Sequence, residues 1–137
     1  DRSDLERALT PEGVQQAEQV AQWLNARLAP ATRILVSPAR RTQQTASALG
    51  RPFETVPAIV SGAAPQAVLQ AARWPQAEEP VLVVGHQPTL GQVAALLLSG
   101  QAQYWTVKKA GVWWLRLRER EAGAQVVLHA VQSPDGP

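Results

Sequence analysis

The chain has no cysteine and only two histidines. The first absence excludes a disulfide framework, a thiolate nucleophile and thiolate metal ligands. Together the two shortages leave too few nitrogen and sulfur donors for an ordinary zinc site, so no metal or other cofactor is expected. Long apolar runs are missing too. None approaches the roughly 18 residues that suggest a membrane-crossing helix, and no secretory signal pattern is visible. The expectation is a cytoplasmic protein with no membrane partner. The net charge is only +2, without a dense basic stripe. Arg116, Arg118 and Arg120 alternate along a predicted strand and are interrupted by Leu117 and Glu119, which argues against nucleic acid as a partner. No internal repeat or low-complexity linker breaks the chain.

What is present suits one globular domain. The 137 residues are 45% hydrophobic and 18% charged, enough for a real core and too apolar for disorder. Two β-branched runs, Ile34–Val36 and Val81–Val84, each lead at once into a polar turn and a helical pattern, as buried parallel strands do. Residues 1–9 read as a loop. Thr10-Pro11-Glu12 is a helix start, with a capping hydroxyl, proline at the first helical position and a carboxylate in the first turn. Val14, Ala17, Val20, Ala21, Leu24 and Leu28 recur at helical spacing, so a helix is predicted to about Leu28, before Pro30. A second helix is predicted from Ser37-Pro38 to Ala48 or Leu49, closed by Gly50. A short strand over Phe53–Val56, a loop to Pro65 and a helix over Gln66–Ala72 follow. After the strand Val81–Val84, a helix is predicted from Pro88 to Leu98. Gly111–Leu117 and Gln125–Val131 form a hairpin around Glu121-Ala122-Gly123. The pattern predicts an α/β three-layer sandwich: a mostly parallel central sheet, helices on both faces and a C-terminal antiparallel hairpin. Trp113 and Trp114, adjacent in a strand, are expected on opposite sides of it, and Trp23 on a packed helix face.

The chemistry gathers at one edge. Ligands of open α/β sheets sit beyond the carboxyl ends of the strands. The two strand–turn–helix units bring Arg41 and His86 there, and Arg7 is a third candidate. Guanidinium forks match phosphoryl oxygens and keep their charge at any working pH, while a histidine can accept or donate a proton. Arg41 lies in the first turn of its helix, against the dipole, which favours a special role over a solvated one. The bland alternatives are a turn-capping role for His86 and a solvated loop residue in Arg7. Arg40 reads as solvated and His129 as structural.

These segments carry a resemblance. Arg7-Ala8-Leu9-Thr10-Pro11-Glu12-Gly13 resembles the R-x-L-T-x-x-G entry segment of the histidine phosphatase superfamily. Leu35-Val36-Ser37-Pro38-Ala39-Arg40-Arg41-Thr42-Gln43-Gln44-Thr45-Ala46 resembles its SSPxxRxxQTA segment. Val83-Val84-Gly85-His86-Gln87-Pro88 resembles its V-x-H-x-P segment, in the same chain order. The small size, without a large lid, is similar to the SixA-type phosphohistidine phosphatase branch. The resemblance implies that Arg41 and Arg7 bind a phosphoryl group and that His86 is the second histidine of the pocket. Thr10 would cap a helix at the rim, and Asp4 would orient an arginine. It also implies a phosphorylated protein, carrying phosphohistidine, as substrate. The family's nucleophile is the histidine of an Arg-His-Gly or Arg-His-Ala motif ending a first, central strand. No Arg-His pair occurs here, so a further N-terminal strand is expected before Asp1. Without it the covalent mechanism cannot run, and the rival readings are a phosphate-binding module or a phosphomonoesterase for a small metabolite.

Overall fold

The computed structural model describes residues 2–134. The two apolar runs become neighbouring parallel strands, β1 (Arg33–Val36) and β3 (Val81–Val84), with the two-residue β2 (Glu54–Thr55) on the far side of β1. Arg33 stands beside Val81 and Val36 beside Val84, so both strands end at the same level. Alternation along β1 then divides the core. Ile34 and Val36 face Val20, Ala21 and Leu24 of α2 (Pro11–Asn25) and Ala46 of α3 (Arg40–Ser47). Leu35 faces the other way, onto Val68 and Ala72 of α4 (Pro65–Ala72) and Val93 of α5 (Thr89–Ser99). The sandwich has helices on both faces, and an antiparallel hairpin, β4 (Val112–Arg120) and β5 (Gly123–Gln132), closes it as a sheet of its own.

Local chemistry explains most of the boundaries. Thr10 caps α2, accepting from the Gly13 amide at 3.0 Å, with Pro11 at the first position. This helix stops at Asn25, short of Leu28. The amides of Arg27 and Leu28 both turn onto the Leu24 carbonyl, which winds up the last turn, while Leu28 still packs on the core. α3 starts three residues later than predicted. Ser37–Ala39 stay non-helical because their polar groups are engaged elsewhere: the Ser37 carbonyl accepts from Thr42 and Gln43 side chains, and Ala39 is extended at ψ 143. The expected loop 57–65 contains a single 3-10 turn at Pro57–Ile59. The main correction lies at the start. Arg2–Glu6, read as loop, is a short helix, α1. Five residues cannot hold a helix by propensity alone. This one is tied down by Arg41, whose Nη1 donates to the Asp4 carbonyl at 2.7 Å.

The adjacent tryptophans diverge as expected. Trp113 meets Trp105, with centroids 6.1 Å apart, and Trp114 meets Trp23 at 6.2 Å and His129 at 5.1 Å. His129 therefore sits in an aromatic contact on the hairpin, away from the strand ends. Arg40 is exposed to solvent.

Candidate functional site

Both parallel strands deliver their next residues to one place. The Ser37 amide continues the ladder by donating to the Val84 carbonyl at 3.0 Å, so Ser37 and His86 emerge side by side. Ser37 Oγ lies 2.7 Å from His86 Nε2. Neither is open to solvent, at 0% and 7% exposure. Arg41, in the first turn of α3, places Nη2 3.0 Å from His86 Nδ1 and 3.2 Å from Asp4 Oδ2. The other Asp4 oxygen takes Arg7 Nη2 at 3.3 Å. Arg7 and Arg41 thus meet on one carboxylate, and His86 joins them through Arg41. Arg7 is the looser member, with a side chain 65% exposed against 19% for Arg41. Thr10 lines the same cavity as it caps α2, and Gln44 of α3 ties down the entry segment by accepting from the Leu9 amide at 2.7 Å.

The hydrogen bonds define the protonation of His86. A guanidinium can only donate, so Nδ1 must be the acceptor and the ring proton lies on Nε2, directed at Ser37 Oγ. Burial lowers the His86 pKa below 6.5, and the Arg41 charge lowers it further; Asp4 opposes them. The ring is neutral in this arrangement.

A cavity of about 710 Å³ opens from this cluster. Its polar end holds Arg7, Thr10, Arg41 and His86, with Lys108 and Lys109 also among its walls. Val20, Leu24, Leu82, Val84 and Val112 give it an apolar stretch, which runs between α2, β3 and the start of β4. The carbonyls of Pro80 and Val84 bond to the β1 side. Alternation therefore turns the amide groups of Val81 and Val83 toward the opposite edge, where no strand pairs among the described residues.

The neighbourhood of His86 is braced from the loop before the hairpin. Gln87 accepts from the Gly91 amide at 2.7 Å and donates to the Trp105 carbonyl at 3.0 Å. Gly91 is required there, since a Cβ would overlap that carbonyl. Among the described residues no group of three or more histidine, aspartate or glutamate side chains is placed to hold a metal ion, and no helix is long and apolar enough to cross a membrane.

Comparison with known proteins agrees with this geometry. The family model for the histidine phosphatase superfamily (branch 1) matches residues 2–63. An uncharacterized protein of Picosynechococcus is 37% identical over 121 residues, covering 82% of this chain and 73% of that protein. The chain belongs to the histidine phosphatase superfamily. Within the superfamily, its fold is similar to that of a SixA protein from Agrobacterium tumefaciens (TM-score 0.77, 22% identity, 96% of this chain and 86% of that one). It is also similar to the protein histidine phosphatase SixA complexed with tungstate (TM-score 0.75, 25% identity, 98% and 89%). As a superfamily member, the chain presents its motif residues at the C-terminal ends of β1 and β3. The contact between Ser37 and His86 was not singled out from sequence. Its one signal was a serine placed directly after a buried strand, which chain order cannot connect to a histidine 49 residues away.

Proposed function

We propose that this domain is the phosphoryl-binding body of a SixA-type phosphohistidine phosphatase. The observation that carries the reading is the seat of Asp4. Two guanidinium groups and, through one of them, His86 converge on its carboxylate. That carboxylate marks where the oxygens of a bound phosphoryl group would lie, and the arginines meet them with charge-assisted bonds. Phosphoryl transfer depends mostly on such positioning and electrostatic stabilisation. An incoming phosphoryl group would replace the Asp4 carboxylate between Arg41 and Arg7. His86 reaches a phosphoryl oxygen as a donor only once Nδ1 carries a proton, with the Arg41 N–H turned from Nδ1 to the ligand.

The reading includes a nucleophilic histidine on a strand preceding Asp1. The apolar length of the cavity and the outward amides of Val81 and Val83 support a seat for such a strand beside β3, ending at the arginines. The nucleophile's nitrogen would attack phosphorus in line as the bond from phosphorus to the substrate's imidazole nitrogen breaks. Water would then cleave the new N–P bond, releasing phosphate and regenerating the histidine. The short connections between the motif segments, with no long lid insertion, suit a phosphorylated side chain on a protein better than a small metabolite, whose sites enclose most of the ligand.

One observation favours a second reading, a phosphate-binding module. Among the described residues, neither ring nitrogen of His86 is available for attack, one facing Arg41 and the other Ser37. The two readings separate in the protein isolated from its native source, weighed intact and assayed on a phosphohistidine-bearing protein. Release of phosphate, with label trapped on a histidine before Asp1, is the expected result. Binding of tungstate without turnover would leave the binding module, and turnover of small phosphomonoesters alone would leave a metabolite phosphatase.

A further inference from the structure

Ser37 and His86 form a buried pair outside any role given so far to the serine. A serine hydroxyl 2.7 Å from a histidine nitrogen has the geometry of a nucleophile and its base. Two observations exclude that use here. Ser37 is fully buried, so no substrate reaches its oxygen. The group behind the histidine is the cation Arg41, not a carboxylate, so a proton taken from serine would create an imidazolium facing a guanidinium. Asp4, the carboxylate of this cluster, is already shared between Arg41 and Arg7.

The geometry points to Ser37 as a positioning residue that holds the Nε2 proton of His86 whether the anion site is empty or filled, so that Nδ1 alone changes role. With the site empty, Nδ1 accepts from Arg41 and helps orient the guanidinium. With a phosphoryl oxyanion present, Nδ1 takes up one proton from solvent hydronium, leaving water, and donates to the anion, whose charge offsets the imidazolium. Nε2–H serves Ser37 Oγ in both states, and the ring keeps its seat. Ser37 is fit for this because its own position is over-determined. Its amide is bound to Val84, its carbonyl receives Thr42 and Gln43, and the Ala39 amide approaches its hydroxyl at 3.4 Å. Were the proton on Nδ1 in the empty site, two donors would face each other and Arg41 would lose its contact with the ring.

This inference rests on the phosphoryl-binding reading but is tested apart from turnover. Nitrogen-15 NMR of the ligand-free protein at alkaline pH reads the His86 tautomer directly. The expected result is a dominant Nε2–H form; a dominant Nδ1–H form overturns the proposal without any variant. Ser37→Ala is expected to keep the Nε2–H form, which the Arg41 contact still favours, but to loosen the ring and weaken tungstate binding about tenfold, the size of one net hydrogen bond. Ser37→Thr, which keeps the hydroxyl, is expected to retain the native affinity. Unchanged tungstate affinity in folded Ser37→Ala, or a loss in Ser37→Thr as large as that in Ser37→Ala, also overturns it. Should tungstate fail to bind the native protein at all, the phosphoryl-binding reading falls, while the tautomer measurement still stands on its own.

Discussion

The two strand–turn–helix units that build the site are held in different ways. In the first, β1 lies between two strands, Leu35 and Val36 are 1% and 0% exposed, and the turn is secured from within by Ser37, Thr42 and Gln43. In the second, β3 pairs with β1 alone among the described residues and is half-buried along its length. Its turn depends on a distant loop, through Gln87 and the carbonyl of Trp105. The first unit is a self-contained floor that presents Arg41. The second is a wall that borrows support to present His86. The contrast shows that one kind of motif can be held by local contacts in one unit and by a long-range contact in the other.

The comparison can be broken at Arg41. Arg41→Ala removes the half-buried guanidinium that connects His86 to Asp4. Tungstate or phosphate affinity measured by calorimetry is expected to fall roughly 100-fold, at the upper end for charge-assisted bonds. Arg7→Ala, on the exposed side chain, is expected to cost about tenfold or less. Equal losses would contradict a tight and a loose arginine.

Stability separates the two strands. Leu35→Ala empties a fully enclosed site and is expected to cost about 2–5 kcal/mol in denaturant unfolding. Leu82→Ala, in half-buried β3, is expected to cost clearly less. The reverse order would mean that β3 rather than β1 anchors the sheet.

The borrowed support can be removed at Gly91. Gly91→Ala pushes a methyl group into the Trp105 carbonyl, with an expected cost of about 1–3 kcal/mol from overpacking. A shift of the His86 resonances should accompany it. Gly50→Ala, where a Cβ meets nothing but φ is +67, is a control for backbone strain and should leave His86 unmoved.

The smallest effect is in the pH dependence. The folded pKa of His86 lies below 6.5, so between the folded value and 6.5 the unfolded chain binds more protons. Folding stability therefore falls as pH drops from 6.5 toward the folded value, and levels off below it. Unfolding curves across that window should show the slope, and His86→Gln should flatten it.

The sequence alone determined the order of the main strands and helices and the segments that carry Arg41 and His86 to the strand ends. These are local or periodic properties. A β-branched run next to a helical pattern needs no partner to be read, and the turns after Val36 and Val84 carried Arg41 and His86 with them. Thr10 and Pro11 marked a helix start because capping chemistry acts within one turn. Tertiary structure alone decided α1, since the bond from Arg41 to the Asp4 carbonyl crosses 37 residues and local propensity would leave that segment a loop. It also decided the pairing of Ser37 with His86, the tautomer that follows, and the apolar cavity beside β3. Each depends on which side chains become neighbours when two strands pair in one register, and spacing along a chain does not record that.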